Sequence, residues 1–284
     1  MKPPLIIIGA PRSGTNMLRD LLVKLNGLET WPCDEINYIW RHGNRSYSSD
    51  EFTASMASPS VKSYIRGQFD TFARQNHNKQ IVEKTCANSL RVQFVDQVFP
   101  QAKYIFIVRD GVDSVASATH RWKAKLDLNY ILRKARYVPP SDLPYYASKY
   151  IYTRIYKLFS SEKRLSLWGP QLDDLDSLLE TYTLEQVCAI QWQRCVENAE
   201  QDFSNIASDR IYKIKYEDFV SSPKSEFIAL ADYLGQPVDN DLAGELTDFI
   251  SNKSIGKGRN ELGFETTDKI LSLINHTLER QGYA

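Results

Sequence analysis

The stretch PLIIIGAPRSGTN, residues 4–16, decides how the rest of the chain is read. Pro4 to Ile8 form an uninterrupted apolar run, the pattern of a parallel strand buried on both faces. The run breaks into a turn bracketed by Gly9 and Gly14. Beyond it, from Asn16 to Leu25, the apolar residues Met17, Leu18, Leu21, Leu22 and Leu25 recur at helical spacing. Strand, glycine loop and helix make half of a mononucleotide-binding unit, and the amides of Ser13 to Asn16 at the helix start predict an anion site. A triphosphate loop of this kind carries a lysine for the β and γ phosphates and a hydroxyl for Mg²⁺. Thr15 stands in the lysine's place and Asn16 in the hydroxyl's, which disfavours metal-dependent triphosphate chemistry. The cation of the loop, Arg12, can grip an oxyanion through its planar fork without a metal.

Working outward, a second strand is expected at Gln80 to Val82, followed by EKTCANS and a helix from about Leu90 to Val98. KYIFIV at 103–108 is a third strand, ending in RDG before a helix over Val112 to Trp122. RIYKIKY at 210–216 is a fourth, with a helix from Lys224 to Leu234 after it. Strands alternating with helices predict an α/β fold, a P-loop-like parallel sheet flanked by helices. Ligands of such sheets bind beyond the carboxyl ends of the strands. Three of the four expected strands end there in a cation, Arg12, Lys84 or Arg109, which predicts a ligand with more than one anionic group. Residues 184–205 read as one long helix and Thr267 to Arg280 as a C-terminal one. The whole chain, 1–284, reads as a single domain with an inserted cap or lid at 125–182, a helical, aromatic-rich segment holding eight tyrosines.

The totals exclude other classes. Lysine plus arginine and aspartate plus glutamate both number 35, for a formal charge of zero, so neither a nucleic-acid nor a membrane-surface binder is indicated. No stretch approaches the roughly 20 apolar residues of a membrane span, and the first residues do not read as a secretory signal. Four scattered cysteines without a CxxC pair suit free thiols in the cytoplasm, and the four histidines lack metal-ligand spacing, so no metal is expected.

With these residues in view, the chain resembles the PAPS-dependent sulfotransferases, in particular their bacterial and tyrosylprotein branch; PAPS is 3′-phosphoadenosine 5′-phosphosulfate. The resemblance implies that the PRSGTN loop, Pro11, Arg12, Ser13, Gly14, Thr15 and Asn16, holds the 5′-phosphosulfate. It implies that Arg109 and Ser117, eight residues apart in IFIVRDGVDSVAS, bind the 3′-phosphate. EKT at 83–85 resembles the family's strand-end lysine motif, giving Lys84 the role of neutralising charge on the bridging oxygen. QWQRCVENAE, IKYEDFVSSP and LGQP look like the same branch. The SIGKGRNEL loop resembles the nucleotide-covering loop and carries Ser254, Lys257, Gly258 and Arg259. Glu35 in CDEINYIW matches the family's glutamate base, with Asp34 beside it as second choice and His42 as a rival. Mutual repulsion of Asp34 and Glu35 is expected to raise one pKa. The reaction implied is transfer of a sulfuryl group to a hydroxyl or amine acceptor by metal-free in-line displacement, releasing PAP.

Plainer readings stand beside these. Lys84 can be an ordinary strand-end lysine, Arg109 can form a surface ion pair with Asp110, and Arg121 either assists the 3′-phosphate or caps its helix. Tyr216 either packs near the nucleotide or belongs to the core or sheet edge. Two other functions compete: a P-loop kinase or nucleotide hydrolase, and a non-catalytic nucleotide-binding interaction module. The neutral surface points to a small-molecule, lipid or peptide acceptor, and no oligomeric state is specified.

Overall fold

The computed structural model describes residues 1–123, 138–146, 148 and 169–283. Its centre is a parallel sheet of β1 (Leu5–Ile8), β2 (Leu28–Glu29), β3 (Gln80–Lys84), β4 (Lys103–Val108) and β5 (Ile211–Lys215), in the order β2-β3-β1-β4-β5. The apolar runs are continuous because both faces are covered. Ile6 and Ile8 of β1 and Tyr104, Phe106 and Val108 of β4 point to one layer of helices; Leu5, Ile7, Ile105 and Ile107 point to the other.

On the second face lie α1 (Thr15–Leu22), and later α8 (Tyr216–Ser221), α9 (Pro223–Tyr233) and α10 (Asn240–Thr247). The first face carries α3 (Pro59–Gln75), α4 (Val92–Val98), α5 (Gly111–Lys123), α7 (Leu184–Phe203) and α12 (Phe264–Gln281). Shorter helices among the described residues include α2 (Asn37–Trp40), α6 (Leu175–Thr181) and α11 (Lys257–Leu262). Local chemistry starts these helices where it should. The Ser58 side chain accepts the Val61 amide with Pro59 in the first turn of α3, and Thr183 and Gln186 form a reciprocal capping box on α7.

The expected elements are present, with differences at their edges. β3 runs on to Lys84 instead of stopping at Val82, and β2, only two residues long, adds a fifth strand that its length hides from any periodicity argument. α3 was not expected. The SIGKGRNEL loop contains α11, and a helical turn, α8, follows β5 directly. Of the 125–182 insertion, residues 125–137, 147 and 149–168 lie outside the described residues. Its described parts include α6 and a single turn at Pro140–Asp142.

The strand order positions the site. β1 sits between β3 and β4, with Leu5–Ile7 against Val82–Lys84 on one side and Leu5–Ile8 against Lys103–Phe106 on the other. Sequence order therefore reverses at β1, and the loops after β1, β3 and β4 surround that switch point. Those are the three loops that bear Arg12, Lys84 and Arg109.

Candidate active site

The loop after β1 is shaped by its backbone. Gly14 adopts φ 90°, and a Cβ there would stand 2.6 Å from the Tyr216 ring, so both conformation and space require glycine. Arg12 also takes a left-handed conformation, φ 71°, at a cost of about 1–2 kcal/mol for a non-glycine residue. That backbone sends its side chain across to α5, where Nε donates to Ser117 Oγ at 2.9 Å. The loops after β1 and β4 are tied more directly still: Arg109 Nη1 donates to the Arg12 carbonyl at 3.1 Å, and Nη2 to the Ser254 carbonyl at 3.0 Å.

Positive charge concentrates here. Arg12 is exposed as a residue, but the loop crowds its head group. Partial burial first, then repulsion from Arg121 and Arg109, push its pKa below the ordinary arginine value. Beside these cations, Ser13 Oγ, Asn16 Oδ1 and Arg109 Nε are buried without a hydrogen-bond partner among the described residues. Buried polar atoms are normally paired, so orphans in the loop after β1 and at the end of β4 leave hydrogen-bonding capacity open beside the guanidiniums. Crowded guanidiniums favour an anion there.

Tyr216 belongs to this site. Its ring packs on Gly14 and lies under the Arg109 guanidinium, 4.6 Å from Cζ to the ring centroid, while its hydroxyl meets Ser254 Oγ at 2.8 Å. The segment from Ser254 to Arg259 is clamped over α5 by a residue that the sequence reading did not single out. Asp113 Oδ2 accepts the Gly256 amide and Oδ1 the Gly258 amide, both at 2.7 Å. Gly258 comes so close that a Cβ would lie 2.6 Å from the Val112 carbonyl oxygen. Arg259 pairs with Asp110 at 3.2 Å, and Lys257 is exposed.

Asp110 sets aside one of the plainer readings. It is buried, and besides meeting Arg259 it accepts the Asp113 amide at 2.9 Å as the cap of α5, rather than forming a surface pair with Arg109. The charged partner of Arg109 is Asp113, at 3.7 Å. The signal was available: acidic residues at Asp110 and Asp113 flank the start of a helix.

The second half of the site lies at the end of β3. Lys84 Nζ donates to Glu35 Oε1 at 3.2 Å, and the Cys86 amide donates to the same oxygen at 3.3 Å. Burial works most strongly against the Lys84 ammonium, but the Glu35 charge and hydrogen bond, with Cys86, together hold the lysine pKa above its ordinary value. The Cys86 thiol is pushed up to about 12 by burial and by Glu35, so it stays protonated; Thr15 Oγ1 faces it at 3.8 Å. The expected repulsion between Asp34 and Glu35 is not how the two are placed. They sit on a bend that turns them apart, Glu35 to Lys84 and Asp34 to Arg19 at 3.5 Å. His42 is engaged elsewhere, bonded to Asp142 at 3.0 Å and stacked on Tyr64. Among the described residues, no group of three or more His, Cys, Asp and Glu side chains could hold a metal ion, and no helix is long and apolar enough to cross a membrane.

Comparison with known proteins identifies the family and the fold. The sequence model of the "Sulfotransferase family" matches residues 3–137 and 149–240. No curated protein matches the sequence. Among solved structures, the sulfotransferase domain from the curacin biosynthetic pathway is similar with a TM-score of 0.57 at 14% identity, over 97% of this chain and 98% of that one. The sulfotransferase domain of the Synechococcus PCC 7002 olefin synthase gives a TM-score of 0.54 at 17% identity, over 95% and 94%. Sulfotransferase STF9 from Mycobacterium avium gives 0.50 at 14%, over 98% and 76%. At such identities these likenesses speak for the fold, while the family match spans well over half of the sequence and includes every strand: the chain belongs to the sulfotransferase family, and is an enzyme of that family.

Proposed function

We propose that the protein moves a sulfuryl group from PAPS to a hydroxyl or amine acceptor, in line and without a metal. The observation that carries this reading is the pairing of two unlike charge arrangements at one sheet edge. One is a crowd of guanidiniums with orphaned polar atoms around the 9–16 loop. The other is a neutralised pair of Lys84, at the end of the adjacent strand, with Glu35 from the stretch before α2. A doubly anionic adenosine nucleotide fits the first: Arg12 and the loop amides suit its 5′ end, Arg109 and Ser117 its 3′-phosphate, with Arg121, Tyr216 and the Ser254–Arg259 segment around them. The Arg12–Ser117 bond joins the two subsites, so one ligand can reach both.

PAPS supplies the sulfuryl group; the protein's own residues supply position and charge. Lys84 stabilises negative charge that develops on the leaving oxygen, where the interaction is stronger in the transition state than before it. Glu35, held 3.2 Å from that ammonium, is the group that takes the acceptor's proton. The described parts of the 125–182 segment bond through Asp142 to His42 and Arg45 and through Gln171 to Asp50, which supports its reading as a cap over the acceptor. An uncharged small molecule, lipid or peptide suits a protein of zero formal charge, and its four free cysteines suit the cytoplasm.

Thermal shift in the presence of a chelator tests the donor. PAP is expected to raise the melting temperature without any divalent cation. Stabilisation by Mg·ATP alone would show a kinase or hydrolase instead.

A further inference from the structure

Glu35 lies on the irregular stretch between β2 and α2, where no repeating backbone ladder sets its direction. Its aim at Lys84 is set by what its neighbours hold. Three consecutive residues at the end of β3 supply the grip. Lys84 Nζ and the Cys86 amide both reach Glu35 Oε1; between them, the Thr85 hydroxyl accepts the amide of Ile36 at 3.3 Å. The same hydroxyl donates to the Glu83 carboxyl. The other Glu83 oxygen accepts from Asn88 Nδ2 at 3.0 Å, and Asn88 Oδ1 accepts from Arg91 Nε at 2.9 Å. Arg91 Nη2 then donates to Asn37 Oδ1, one residue beyond Ile36. The chain of bonds leaves the Glu35 segment at Ile36, passes through four buried side chains and returns to it at Asn37. Glu83, Thr85, Asn88 and Arg91 are each at most 1% exposed.

We propose that Thr85 is a positioning residue for sulfuryl transfer, fixing the Glu35-bearing segment against Lys84 through its bond to the Ile36 amide. The inference rests on the function proposed above. The residue type suits the task. A hydroxyl can accept from an amide and donate to a carboxylate at once, and a β-branched side chain has few rotamers to lose. Valine matches its shape but offers neither bond, leaving the buried Ile36 amide unanswered.

The test uses the full chain, with PAP release from PAPS measured with water and with p-nitrophenol as acceptors, and PAP affinity measured by calorimetry. Thr85→Val is expected to lower kcat by about 10- to 100-fold, the cost of a misplaced catalytic group, with KM for PAPS and Kd for PAP unchanged. Thr85→Ser, which keeps the hydroxyl, is expected to restore kcat. A structural role alone would lower donor affinity and turnover together. Should Thr85→Val fail to fold, Thr85→Cys, whose thiol is a weak acceptor, takes its place with the same expected split. A folded Thr85→Val that turns over like wild type, or a Thr85→Ser as slow as Thr85→Val, overturns the inference while leaving the donor reading intact. Wild-type protein that neither binds PAP nor releases it from PAPS overturns both.

Discussion

Arg12 and Lys84 stand at the ends of neighbouring strands, and their surroundings treat charge in opposite ways. Arg12 meets other guanidiniums: partial burial, Arg121 and Arg109 all make its charge harder to hold. Lys84 is more deeply buried, yet Glu35 makes its charge easier to hold. The same contrast appears in the polar atoms. Ser13, Asn16 and Arg109 each leave a buried atom unpaired near the first cation, whereas Glu35 Oε1 beside the second already accepts two donors. A cation crowded by like charges gains most when an anion arrives, so it is suited to binding. A cation with a built-in counterion gains little from a ground-state anion. It is suited to acting when charge shifts during the reaction, which is where rate comes from.

The largest expected effect tests that division directly. Lys84→Ala should lower sulfuryl transfer from PAPS by about 100- to 1,000-fold, the range for removing one preorganised charge from a transition state, while Kd for PAP stays near the wild-type value. Equal losses in rate and in PAP affinity would merge the two regions into one binding site and end the comparison.

A smaller effect sharpens the other side. Arg109→Ala should weaken PAP by about 1.5–3 kcal/mol, the worth of a charge-assisted bond, and should weaken adenosine 5′-phosphosulfate far less, because that ligand lacks the 3′-phosphate. Titration calorimetry with both nucleotides decides it. Equal weakening would move Arg109 from the 3′ end of the ligand to its 5′ end.

Much of this was legible in the chain because burial on two faces writes itself plainly. KYIFIV gave β4 its observed bounds, 103–108, and LIII lies within the run that opened the reading. The three strand-end cations were legible for the same reason: a strand that is found locates the residue after it. What escaped depends on contacts across sequence. β2 is too short for a period, and its place is fixed by pairing with β3 at Leu28–Gln80 and Glu29–Ile81. Asp113 reads as an ordinary helix-start carboxylate until Gly256, 143 residues on, is brought to it. Thr85 reads as a spacer after Lys84 until Ile36 arrives from 49 residues away. Asp34 and Glu35 misled for a related reason. Adjacency in sequence implies repulsion only when side chains share a direction, and here Arg19 and Lys84 draw them apart.

The smallest effect reaches behind the Lys84 side of the comparison. Glu83 is fully buried, and burial pushes its carboxyl up to about 7, with the Glu35 charge adding to the rise while the Thr85 hydroxyl and the Lys84 charge pull against it. A carboxyl raised in the folded protein binds its proton there after the unfolded chain has released it. Between the ordinary carboxylate range and about pH 7 the folded state therefore holds more protons, and stability falls as pH rises through that window. Glu83→Gln mimics the protonated form and cannot titrate, so its stability should fall less over the same interval. In calorimetry from pH 5 to 8, the melting temperature of the wild type should drop relative to Glu83→Gln by about 2–4 °C for each kcal/mol of linkage. Parallel curves would mean that Glu83 is ionised throughout, its charge answered by Asn88 and Thr85. The buried ring behind Glu35 would then carry a permanent negative charge, and the Lys84 site would be balanced by two carboxylates rather than one.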